Sequence, residues 1–87
     1  MVSYRIEWKA SASRELRNLP REIIAQIVDG VTDLGDDPFP SGIKKLAGAH
    51  HTYRIHFGSY RVIYTVSRDN RIVAIIRVGH RQSVYKR

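Results

Sequence analysis

The chain has 87 residues and no cysteine, which leaves room for one small core and excludes disulfides, thiolate nucleophiles and cysteine-bound zinc. A hydrophobic share of 43% excludes a disordered tail, and no apolar run approaches the roughly 18 residues that span a bilayer. The net charge of +7 is uneven: residues 1–42 hold five Lys/Arg against seven acids, a net of −2, whereas residues 43–87 hold ten against Asp69 alone, a net of +9, and all four histidines.

In chain order, Val2, Tyr4, Ile6 and Trp8 alternate with Ser3, Arg5, Glu7 and Lys9, the period of a half-buried strand. Ser11 is placed to cap a short helix in which Ala12, Leu16 and Leu19 share a face. Pro20 interrupts it and suits the first turn of a second helix, where Ile23, Ile24, Ile27, Val28, Val31 and Leu34 form one apolar stripe. Gly35-Asp36-Asp37-Pro38 ends that helix, and Pro40 and Gly42 extend the loop. Tyr53, Ile55 and Phe57 then alternate with Arg54 and His56, and after Gly58-Ser59 the alternation resumes at Tyr60, Val62, Tyr64 and Val66. A Gly-Ser pair between two such runs is a type II′ hairpin signal, because glycine supplies the positive φ at the first central position. Ser67 to Arg71 reads as the next turn, and Ile72 to Ile76 is apolar on both faces, as a central strand is. The expected fold is α+β in the order β-α-α-β-β-β, one domain over residues 1–87, with a helical hairpin packed on one face of a mainly antiparallel twisted sheet.

A two-residue turn at Gly58-Ser59 pairs His56 with Arg61 and puts Arg54 on the same face. The last strand runs back along the middle one, so its end at His80-Arg81 arrives beside the turn, and His56, Arg61 and Arg81 converge at one end of the sheet. Arginines directed at one spot repel unless an anion lies between them, and a guanidinium forks onto phosphate oxygens. The alternative is that Arg61 and Arg81 pair with acids on the helices. Beside arginines an imidazole stays neutral more readily, the state in which His56 can accept a proton. His50, His51 and His56 raise the question of a metal, but no carboxylate stands nearby and Arg54 and Arg61 oppose a cation, so neither metal nor cofactor is expected. No Gly-rich phosphate loop, Ser-His-Asp pattern or carboxylate pair occurs in the basic half. Lys44, Lys45, His80, Lys86 and Arg87 suit sequence-independent contacts to an RNA backbone, and Tyr85 is either a packed anchor or a ring for stacking a base.

The segments KKLAG, YRIHFGSYRVIY and VGHRQSVYKR, taken with the preceding strand and helical hairpin, resemble the RelE branch of the RelE/ParE toxin superfamily over the whole chain. The resemblance implies a toxin of a type II toxin–antitoxin system that enters the ribosomal A site and cleaves messenger RNA there. A cognate antitoxin from the same operon would neutralise it, and operator DNA would be met only through that complex. It also implies roles: Arg61 matches the phosphate-binding arginine, Arg81 the arginine of transition-state stabilisation and leaving-group protonation, and Tyr85 the C-terminal tyrosine that orients the base. Arg54 and His56 stand where the family has two lysines, the second its proposed general base. Arginine cannot take that role with a pKa above about 12, whereas histidine can. The function expected is therefore a metal-independent, ribosome-dependent endoribonuclease working by 2′-hydroxyl attack. Its alternatives are a ParE-like inhibitor of DNA gyrase and a noncatalytic RNA-binding module. The opening MVSYRIEWKA lacks the apolar core of a secretion signal, so a cytoplasmic protein without membrane contact is expected.

Overall fold

The computed structural model describes residues 3–80. Its elements are β1 (Arg5–Trp8), α1 (Ala10–Arg17), α2 (Arg21–Leu34), β2 (Lys44–Lys45), β3 (Thr52–Phe57), β4 (Tyr60–Ser67) and β5 (Ile72–His80). One five-stranded sheet has the order β1-β5-β4-β3-β2, and only the β1–β5 pair is parallel. The two-residue β2 adds a strand to the expected order. It is an edge piece in which Lys44 pairs Arg54 and Lys45 pairs Tyr53, too short for any alternation to announce it.

The helix caps differ from expectation by one or two positions. Lys9 takes the N-cap of α1 and its carbonyl accepts from Ser13 N–H, so Ser11 lies inside the helix and its side chain makes no cap. Pro20, with an extended ψ of 148°, is the N-cap of α2 rather than a member of its first turn, and its carbonyl accepts from Ile23 and Ile24. Proline serves there because its fixed φ feeds a helix while an N-cap needs no N–H donor.

One sheet face meets both helices. Val62, Tyr64 and Val66 of β4 and Val73, Ile75 and Val78 of β5 pack with Ala12 and Leu16 of α1 and with Ile27, Val31 and Leu34 of α2. On β5 three successive residues, Val73 to Ile75, are buried, as befits a strand flanked by β1 and β4. Tyr64 is the largest fully buried side chain, and its Oη donates to the Pro38 carbonyl at 2.8 Å, fixing the loop after α2 to the core. Gly30 of α2 is a packing requirement: a Cβ there would come within 2.1 Å of the Phe57 ring.

The pairing of β4 with β5 slips by one residue, Tyr64 facing Ile75 and Ile63 facing Arg77, so Ile76 bulges. Beyond the bulge β1 has ended, and Glu15 of α1 takes over the open edge. Its carboxylate accepts from Val78 N–H at 2.8 Å and from Arg77 Nε at 3.1 Å. Glu15→Ala should therefore lower stability by about 1–2 kcal/mol, the size of charge-assisted bonds discounted for a site about one-third exposed, as a urea midpoint shift would register.

Candidate functional site

The hairpin register agrees with the reading of the sequence. Phe57 pairs Tyr60 and His56 pairs Arg61 across Gly58-Ser59, and Gly58 carries φ +65°, the sign a type II′ turn requires at that position. Because paired residues share a face, Arg61 and His56 lie together on the side away from the helices, with Cβ atoms roughly 5 Å apart. Arg54, two residues along β3, shares that face, and Lys44 opposite it extends the group to β2. The result is a set of four basic side chains on three adjacent strands.

His56 is exposed, whereas Arg54 and Arg61 are half-buried and the Nε atom of each is closed off from solvent. Their stems thus lie along the sheet, which holds the guanidinium planes in place at low cost in side-chain entropy. Guanidinium groups gathered on one face can fork onto the oxygens of a phosphate. On the far side of Arg61 stands Gly79 of β5, which has no side chain. The apolar run of the last strand stops at Val78 in the sequence, but β5 continues through Gly79 to His80.

Not every expected residue joins this group. Lys45 pairs Tyr53 and so faces the helix side of the sheet, away from Lys44. His80 pairs Tyr60, its ring edge-on to the tyrosine ring at 5.6 Å, and alternation puts it on the face opposite Arg61. Of the helix acids, Glu15 engages Arg77. Arg81, Tyr85, Lys86 and Arg87 lie outside the described residues; the last described position of β5, His80, is beside Tyr60 and thus near the Gly58 turn, where the chain was expected to arrive. No helix among the described residues is long and apolar enough to cross a membrane.

Chains of similar sequence and fold are known. The family model for the ParE toxin of the type II toxin–antitoxin system, parDE, matches residues 6–85. Toxin RelG of Mycobacterium tuberculosis is 33% identical over 90 residues, covering 99% of this chain and 100% of that protein. A putative toxin RelE1 of Methanocaldococcus jannaschii is 28% identical, covering 98% of each. Among solved structures, the toxin–antitoxin complex RelBE2 of Mycobacterium tuberculosis superposes with a TM-score of 0.81 at 32% identity, covering 93% of this chain and 94% of that one. The isolated RelE toxin of E. coli gives 0.80 at 25% identity, covering 90% and 84%. The chain belongs to the ParE toxin family of type II toxin–antitoxin systems and, within it, is a RelE-like toxin.

Proposed function

We propose that this toxin is a ribosome-dependent endoribonuclease that cuts messenger RNA by internal attack. The observation that carries the reading is the His56–Arg61 pair with Arg54 on the same face. His56 removes the proton from the ribose 2′-hydroxyl, the O2′–P bond forms and the P–O5′ bond breaks. The products are a 2′,3′-cyclic phosphate and a 5′-hydroxyl, whose oxygen takes up a proton as it leaves. Arg54, Arg61 and Arg81 stabilise the charge that gathers on the phosphorus oxygens, work that fixed cations perform without a metal. Arg81 assists the departing oxygen and Tyr85 holds the base. His80, on the other face, is a weaker candidate for the departing oxygen.

One base and several cations on an open sheet make an incomplete site. Attack needs the 2′-oxygen, phosphorus and leaving oxygen in line, and alignment of that kind is worth several kcal/mol that this face alone does not supply. A ribosomal A site holding the messenger provides it. The natural restraint is a cognate antitoxin that covers the basic face with an acidic or amphipathic segment, by analogy with the toxin–antitoxin complexes of similar fold. Operator DNA is reached through that complex, and the whole chain acts as one domain in the cytoplasm.

His56→Ala should lower cleavage of ribosome-bound messenger by about 10²-fold or more, in the range of a lost general base. His56→Lys should restore part of it with the rate profile moved to higher pH, since an ammonium in water gives up its proton about four units above an imidazolium. Equal rates for wild type and His56→Ala would remove histidine from the mechanism. A second reading, inhibition of DNA gyrase by binding, is favoured by the parDE description of the family model. A supercoiling assay separates the two, and the triad of Arg61, Arg81 and Tyr85 speaks for the nuclease.

A further inference from the structure

Ile63 breaks the pattern of the face on which it stands. Alternation along β4 turns Val62 and Tyr64 into the core and Arg61, Ile63, Thr65 and Ser67 to the opposite side. There β3 contributes Thr52, Arg54 and His56, and β2 contributes Lys44. Among these side chains Ile63 alone is apolar. It is nevertheless only 7% exposed, although both helices pack on the other face and Ile63 takes no part in the core cluster they cover.

Its nearest neighbours on that side are basic. Arg54 of β3 and Arg77 of β5 stand directly across from it, with Cβ atoms about 5 Å away. Arg61 is two residues along the same strand, roughly 7 Å off. Arg77 is drawn to the open edge of β5, where its Nε donates to Glu15 at 3.1 Å. Arg54 and Arg61 are half-buried, and each has its Nε closed off from solvent, the state of a stem laid over an apolar side chain with only its tip in water.

We propose that Ile63 is a positioning residue for the phosphate site: an apolar floor on which the stems of Arg54 and Arg61 rest, so that both guanidinium groups are aimed before RNA arrives. The role rests on the RNA reading above, whose scissile phosphate it serves. An arginine in water loses rotamer freedom when it grips a phosphate, whereas one already laid on a floor has lost that freedom in folding. The same floor keeps water from beneath the guanidinium planes, which strengthens their pull on a phosphate oxygen. Ile63 thus acts through the two arginines and not on the reacting atoms.

The test uses the full chain, below the melting transition of every variant, with two readings. One is cleavage of ribosome-bound messenger. The other is fluorescence anisotropy with all-2′-O-methyl RNA, which lacks the attacking hydroxyl and is not cut. Ile63→Ala should lower kcat by about tenfold, with the pH profile left where His56 sets it. It should weaken RNA binding by about threefold to tenfold, the size of one or two arginines ordered anew. No charge is lost, so the slope of log affinity against log salt should match wild type, whereas Arg54→Gln should flatten it by about 0.7, the share of one phosphate on a single strand. Ile63→Val, which shortens the floor by one methyl, should fall between Ile63→Ala and wild type, and serves alone if Ile63→Ala does not fold. In a chain carrying Arg54→Ala and Arg61→Ala, adding Ile63→Ala should cost no further affinity. If wild type binds RNA without cutting messenger, the nuclease reading falls and the binding arm decides the role of Ile63. The proposal is overturned if the folded variants bind as wild type does, or if Ile63→Ala loses as much affinity without the two arginines as with them. It is equally overturned if wild type binds the RNA no better than the chain lacking both arginines.

Discussion

Arg61→Ala is expected to abolish messenger cleavage on the ribosome, with a drop of about 10²–10³-fold, while the protein stays folded. A fixed cation aimed at developing charge is worth that much in other enzymes when it is removed. The fold should survive because Arg61 lies on the face away from the helices, half-buried at the turn end of β4, while Val62 and Tyr64 on the other face carry the core. Stability should therefore stay close to that of the wild type. Thermal melting and toe-print mapping on the same preparation separate the two effects. A variant that melts normally and still cuts would show that Arg61 does not act on the phosphate.

The largest effect on stability is expected at Tyr64. Its ring is fully buried in the core between the sheet and the helices, 5.9 Å from the Tyr53 ring, and its hydroxyl donates to the Pro38 carbonyl. Tyr64→Ala should cost about 3–5 kcal/mol, a large share of what a domain of this size possesses. Tyr64→Phe keeps the ring and strands the carbonyl, at about 1–2 kcal/mol. The phenol also sets an alkaline limit. Burial first, then Tyr53 and Asp37 nearby, push its pKa from 10.0 up to about 12. The unfolded chain releases this proton near pH 10 and the folded chain does not, so folding loses stability as pH rises between about 10 and 12. The loss is about 1.4 kcal/mol per pH unit, roughly 2–3 kcal/mol in all. Denaturant midpoints should favour wild type over Tyr64→Phe at pH 8, meet near pH 11 and fall below the variant's by pH 12; parallel curves would contradict the burial argument.

What could be read from residues alone was what short-range geometry decides. Gly58-Ser59 set a two-residue turn, alternation on either side set the faces, and together they paired His56 with Arg61. Apolar residues on both faces of Ile72–Ile76 gave a central strand, and β5 does lie between β1 and β4. Partners far apart in sequence were not legible. Nothing within Arg5–Trp8 names β5 as its parallel neighbour, because the same alternation suits any edge of the sheet. The Ile76 bulge was hidden for a related reason: a strand apolar on both sides looks the same before and after a one-residue slip. β2 was missed because Lys44 and Lys45 carry no periodicity, and the split of those two lysines between faces followed from that.

The central claim is that the Arg54–His56–Arg61 face cleaves messenger on the ribosome. It is tested most directly by mapping RNA ends in a translating extract given purified wild-type toxin or Arg61→Ala. Wild-type toxin should leave new 5′-hydroxyl ends within translated codons and upstream fragments closed by a 2′,3′-cyclic phosphate, and the variant should leave neither. Intact messenger with wild-type toxin, or equal cutting by the variant, would contradict it.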